Sequence, residues 1–140
     1  MGGAKREKTT VLLVDDEPFF LRYLSDFFAG QEYQVVIASN GNKALENAGR
    51  LQPSLIVLDL EMSALNGIET CRMLKADEAT REIPVAILIG MENMNLSQIA
   101  FEAGAEVTML KSMSPDQLLD MVEMVMRTEN VSEPLAVPAG

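Results

Sequence analysis

The chain has 140 residues, 48% of them hydrophobic, enough to bury the core of one compact domain and too apolar for a disordered segment. Its 21 acidic side chains outnumber 11 basic ones, and the net charge of −10 argues against gripping nucleic acid or anionic lipid through bulk charge. With no histidine and one cysteine, Cys71, it lacks catalytic His pairs, His metal ligands, an internal disulfide and any Cys-x-x-Cys site, which leaves carboxylates, Lys, Ser/Thr, backbone groups and a hard metal ion to carry chemistry.

Residues 1–8 are Gly-rich and basic, without the apolar stretch and cleavage site of a signal peptide, and are expected to be a flexible N-terminal segment. Val11-Leu12-Leu13-Val14 reads as the first strand. Pro18 opens a helix whose stripe is Phe20, Leu21, Leu24, Phe27 and Phe28, with Gly30 as its stop. Val35-Val36-Ile37-Ala38 is the second strand, and 42–51 the second helix, with Ala44, Leu45 and Ala48 on one face ahead of Pro53. Leu55-Ile56-Val57-Leu58 is followed by a helix over 67–76, with Ile68, Cys71 and either Leu74 or Lys75 inward. Val85-Ala86-Ile87-Leu88-Ile89 precedes a short helix over 96–103 that ends at Gly104. Val107-Thr108-Met109-Leu110 is the fifth strand. Ser114-Pro115-Asp116-Gln117 is a helix start with cap, first-turn proline and capping-box Gln, and the helix runs to Thr128 with Leu118, Met121, Val122 and Val125 inward. Residues 129–140, with Pro134 and Pro138, read as a tail or linker, leaving 9–128 as the domain. No apolar run approaches the roughly 18–20 residues of a membrane span, so a cytoplasmic protein without a membrane partner is expected.

The strands at 11, 55 and 85 are continuously apolar, as strands covered on both faces are. Five β–α repeats with right-handed crossovers give an α/β fold: a (βα)5 doubly wound, flavodoxin-like parallel sheet of order 2-1-3-4-5. Such sheets bind ligands outside the carboxyl ends of their strands. There the first strand offers Asp15 and Asp16, the third Asp59 and the fifth Lys111. An Asp-Asp pair in an acidic chain is usually a solvated turn, and a single Lys a surface charge. Their conjunction at three strand ends is what points to a site. Crowded carboxylates repel unless a cation neutralises them, and an all-oxygen set suits Mg²⁺ or Mn²⁺.

These residues resemble the receiver domain of two-component response regulators over nearly the whole chain. Val11 to Pro18 is similar to the family's first strand and acidic pair, and Ala38 to Leu45 to its second loop and helix start. Leu55 to Met62 is similar to the phosphoacceptor strand, Asn66-Gly67 to its turn, and Gly104-Ala105-Glu106 with Lys111 to its fifth-strand spacing. The resemblance implies that Asp59 accepts a phosphoryl group from a sensor histidine kinase or phosphotransfer protein. It also implies that Asp16, Asp59 and the backbone carbonyl of Glu61 ligate the metal directly, that Asp15 acts through water, and that Lys111 pairs with the phosphoryl oxygens.

The departures concern the readout. The hydroxyl residue that usually ends the fourth strand is Ile89, followed by Gly90. The fifth-strand aromatic is Thr108, and the proline after the Lys is Ser112, so Lys111–Ser112 is expected to be trans, a non-proline cis bond costing about 3 kcal/mol. The usual Met-Pro is Met62-Ser63, and Glu61 adds a carboxylate beside the site. Two readings remain open, a phosphoacceptor receiver and a pseudo-receiver that only docks proteins. A third, an aspartyl-phosphate phosphatase, lacks its Asp-x-Asp on the first strand, so no enzyme activity beyond self-phosphorylation and self-dephosphorylation is expected. Met91, Met94, Met109, Met113, Met121, Met124 and Met126 crowd the last third, mostly as core filling, but Met124 lies off the apolar stripe. A weak homodimer through the fourth helix, fifth strand and last helix is expected from this face, and Cys71 is expected to be a small buried residue.

Overall fold

The computed structural model describes residues 9–62, 66–91 and 93–130. Residues 1–8, Ser63 and residues 131–140 of the expected tail lie outside these. The elements are β1 (Thr10–Val14), α1 (Pro18–Gly30), β2 (Gln34–Ala38), α2 (Gly41–Leu51), β3 (Leu55–Asp59), α3 (Gly67–Ala76), β4 (Val85–Ile89), α4 (Met94–Glu102), β5 (Val107–Leu110) and α5 (Pro115–Asn130). The strands form one parallel sheet in the order β2-β1-β3-β4-β5, as the alternation of apolar runs and helical stripes predicts.

Because side chains alternate across a strand, each strand feeds two cores. Leu12, Val14, Ile56, Leu58, Val85, Ile87 and Ile89 pack under α2, α3 and α4, where Ala44, Ala48, Cys71, Leu74 and Ala100 meet them. Val11, Leu13, Leu55, Val57, Ala86, Leu88 and Met109 pack under α1 and α5, against Leu21, Leu24, Phe28, Leu118, Val122 and Val125. Burying one such aliphatic side chain contributes about 1.5–3 kcal/mol. Cys71 is fully buried, its thiol held well above the usual range, to about 11, by burial.

The ladder also sets the functional edge. Val14 pairs with Leu58, Asp59 with Leu88, and Ile89 with Leu110. The carboxyl ends of β1, β3, β4 and β5 are therefore level, and Lys111 N–H donates to Ile89 O at 2.9 Å. At the opposite edge Lys75 ties the loops together. Its ammonium donates to the carbonyls of Ile83 at 2.8 Å and Arg81 at 3.1 Å and pairs with Glu106 at 3.1 Å, while Glu106 accepts the Val85 N–H at 2.7 Å. Of the two residues open for the inward face of α3, Leu74 takes the core and Lys75 this clamp.

Boundaries differ where caps act. Asn93 accepts the N–H groups of Asn95 and Leu96, so α4 begins at Met94 rather than at 96. The last helix continues past Thr128 to Asn130, its start closed by the expected reciprocal bonds between Ser114 and Gln117. Gly30 is the last helical residue of α1 and not its left-handed cap; that conformation falls on Glu32, at φ 71°, and on Gln52 after α2, at φ 51°. Gly104 does take positive φ, at 108°. No cis peptide bond occurs among the described residues, and Lys111–Ser112 is trans.

The two strained turns differ in compensation. Gln52 bonds the carbonyls of Gly49 at 3.2 Å and Ala79 at 2.9 Å through its amide, whereas Glu32 is exposed. A left-handed non-glycine residue costs about 1–2 kcal/mol. Glu32→Gly should therefore raise the unfolding free energy by about 0.5–1 kcal/mol after glycine's added chain entropy. Gln52→Gly should give no gain, both measured by urea unfolding.

Candidate functional site

The level strand ends gather the acidic residues as the sequence predicts. Asp15 follows β1 and Asp59 ends β3. Both continue the side-chain alternation that faces α1 and α5, and both are buried, at 2% and 3% exposure. Asp16 is exposed at the mouth. Ligand oxygens of Asp15, Asp16 and Asp59 all lie within 4.8 Å of one another. Lys111, on the same alternation after β5, reaches across with its ammonium 2.9 Å from Asp15 Oδ2 and 3.2 Å from Asp59 Oδ1. Asp15 Oδ1 accepts the Glu17 N–H at 3.0 Å.

Burial, then the nearby Asp15 charge, pushes the Asp59 carboxyl up to about 6, against the opposing pull of Lys111. Burial works against the Lys111 ammonium, but its bonds to Asp15 and Asp59 prevail and hold its pKa above the usual lysine value. One ammonium thus serves both buried carboxylates, with Asp16 close beside them. Asp15 Oδ2 is shielded from solvent and, among the described residues, makes no well-angled hydrogen bond beyond that ion pair. A hard, acceptor-only donor set with surplus negative charge and a buried, under-satisfied oxygen fits a divalent cation such as Mg²⁺.

Backbone packing prepares the crevice. A Cβ on Gly67 would collide with the backbone of Asp59 and Leu60, so α3 can start against the end of β3 only with glycine there. Asn66 caps that helix by accepting the Glu69 N–H at 2.9 Å, which accounts physically for the Asn66-Gly67 turn. Glu61 is exposed in the loop that follows β3.

Ile89 and Thr108 lie on the α2–α4 side of the sheet, opposite the side that Asp15 and Asp59 face. Ile89 is buried in the α2–α4 core at 2% exposure. Thr108 is half-buried, its hydroxyl 3.4 Å from that of Ser97 on α4. Ser112 is exposed. Two contacts escape sequence reasoning. The Ser97–Thr108 pair joins elements whose facing positions periodicity does not give. Phe20, assigned to the core stripe of α1, also lies under Lys111, with the ammonium 4.7 Å from the ring centroid. The first turn of a helix following an acidic strand end is the signal that could have found it.

The crowding has a pH signature in metal-free protein. A carboxyl raised above its unfolded value stabilises the fold at low pH, and that contribution is lost as pH rises through about 6. Asp59→Asn should therefore exceed the parent in stability by about 1–3 kcal/mol above that pH. The gain should be small near about pH 4, both read from urea unfolding of chelator-treated protein.

A family model described as the response regulator receiver domain matches residues 11–123. The DNA-binding response regulator MtrA of Mycolicibacterium smegmatis is 30% identical over 124 residues, covering 89% of this chain and 53% of MtrA. The alkaline phosphatase synthesis transcriptional regulatory protein PhoP of Bacillus subtilis is 31% identical over 124 residues, covering 89% of this chain and 51% of PhoP. The chain spans about half the length of these curated relatives. The structure of the Vibrio cholerae chemotaxis protein CheY4 superposes with a TM-score of 0.81 at 24% identity, covering 85% of this chain and 99% of that one, a likeness of fold.

Proposed function

The chain belongs to the response regulator receiver domain family, the signalling modules of two-component systems, and from that premise we propose that Asp59 is its phosphoacceptor. In this reading the donor is a phosphohistidine on a sensor histidine kinase or a phosphotransfer protein in the cytoplasm. The Asp59 carboxylate attacks phosphorus as the P–N bond breaks. The imidazole leaves with the electron pair and takes up a proton, and an acyl phosphate remains.

The observation that carries this reading is the ion-paired crevice. Two buried aspartates from β1 and β3 share one ammonium at 2.9 and 3.2 Å, with Asp16 beside them. Lys111 can pass from the carboxylates to the phosphoryl oxygens without leaving the crevice, as the charge moves there. Asp16, Asp59 and the Glu61 carbonyl would hold Mg²⁺ or Mn²⁺ directly, and Asp15 through water. The bound ion would neutralise charge on the transferred group. Any catalysis is confined to the domain's own phosphorylation and dephosphorylation.

Output is through protein contacts, not direct contact with nucleic acid or membrane. Among the described residues no helix is long and apolar enough to cross a membrane. Met94, at 85% exposure, and Phe101 on α4, together with Met124 on α5, are exposed apolar side chains that support a weak symmetric dimer. Sedimentation at high protein concentration should show dimers, and Met94→Glu with Met124→Glu should remove them.

Treatment with acetyl phosphate and Mg²⁺ should add one phosphoryl group, lost in Asp59→Asn, by mass spectrometry of the intact protein. No gain under conditions that modify an ordinary receiver would favour the docking-only reading. Ile89 offers no hydroxyl to the phosphoryl group, and such a charged hydrogen bond is worth about 1.5–3 kcal/mol. Its loss moves a two-state switch about tenfold to a hundredfold toward the inactive form. Phosphorylation should therefore alter amide exchange little across residues 89–112, and Ile89→Thr should restore part of the response.

A further inference from the structure

Lys111 must keep its ammonium over the crevice in two circumstances with opposite demands. Without metal, Asp15 and Asp59 hold it at 2.9 and 3.2 Å. With a divalent cation on Asp16 and Asp59 and its water shell on Asp15, both anchors are drawn toward the ion, and the cation repels the ammonium. A lysine freed in this way, on a flexible four-carbon stem, gains more by hydration outside than by staying.

One neighbour does not compete for the metal. The Phe20 ring, in the first turns of α1, presents its face to the ammonium at 4.7 Å from the centroid. The ring is itself held, packed against the α1–α5 core and tilted against Tyr23 at 6.1 Å between centroids. A neutral π-face attracts an ammonium without ligating a hard cation and without neutralising the charge a phosphoryl group needs.

We propose that Phe20 is a positioning residue for Lys111, the partner that retains the ammonium at the crevice when a divalent cation takes the carboxylates. This deepens the phosphoacceptor reading and rests on it for its functional consequence, but the placement of Lys111 can be read without any phosphoryl transfer.

Two measurements test it on the full chain. The first follows the Lys111 ε-methylene signals by carbon–proton correlation NMR, with and without saturating Mg²⁺. Ring current from Phe20 should shift them upfield in the parent and in Phe20→Tyr, and the shift should persist with Mg²⁺. Phe20→Leu, which keeps apolar bulk, should abolish it. An upfield shift that collapses when Mg²⁺ is added, or that survives in Phe20→Leu, would overturn the proposal, whatever Asp59 does.

The second measures phosphorylation by acetyl phosphate at saturating Mg²⁺. Phe20→Leu should slow it about threefold to tenfold, with Phe20→Tyr restoring the rate. In a Lys111→Met background the Phe20→Leu effect should vanish, because the ring then has no ammonium to hold. An equal slowing in both backgrounds would mark a merely structural role and overturn the proposal. If the parent takes no phosphoryl group at all, the phosphoacceptor reading fails, and the NMR result decides the positioning claim by itself.

Discussion

Like charges brought to one place by a fold must be answered, and the rest of this molecule depends on how that is done. The parallel ladder levels the ends of β1, β3 and β5, and the strand alternation turns Asp15, Asp59 and Lys111 to the same side. The sheet needs two apolar layers to stay buried on both faces, so these polar groups can stand only where the strands end. Lys111 supplies part of the missing positive charge from within the chain. It does so incompletely, which is why burial and the Asp15 charge still lift Asp59 to about 6. A fold that keeps its carboxylates partly unsatisfied is primed for a cation that arrives from solution.

The carboxylate crevice and two of the residues that depart from the family pattern, Ile89 and Thr108, lie on opposite sides of one sheet. Asp15, Asp59, Lys111 and Phe20 belong to the side of α1 and α5. Ile89 faces the other core, and Thr108 bonds toward α4 through Ser97. Ile89 therefore packs on the side of the sheet away from where Lys111 meets Asp15 and Asp59. The Ser97–Thr108 pair gives α4 and β5 a tie of their own, independent of the crevice. In the phosphoacceptor reading proposed above, acceptance and response would rest on different packing layers.

Much of this was legible in the residues. Continuous apolar runs such as Leu55 to Leu58 identify strands covered on both sides, and the acidic residues just past them locate the site, since both follow from period and chain order alone. The Ser114–Gln117 cap was legible because its two bonds are local. What escaped was non-local or decided by small energy differences. Asn93 could cap the helix two residues earlier than the apolar stripe suggests. Glu32, not Gly30, carries the left-handed turn because the helix spends Gly30 on its last turn. Lys75 could face inward or outward until the carbonyls of Arg81 and Ile83 and the carboxylate of Glu106 were seen to meet it. The ring of Phe20 under Lys111 joins residues far apart in sequence, and no periodicity encodes it.

The central claim is that Lys111 stands in for a cation the crevice is built to hold. Calorimetric titration of Mg²⁺ into the parent, Lys111→Met and Asp16→Asn tests it most directly. The account predicts measurable binding to the parent, tighter binding to Lys111→Met because the internal competitor is gone, and loss of most binding in Asp16→Asn. Binding that is weaker in Lys111→Met, or unchanged in Asp16→Asn, would contradict it.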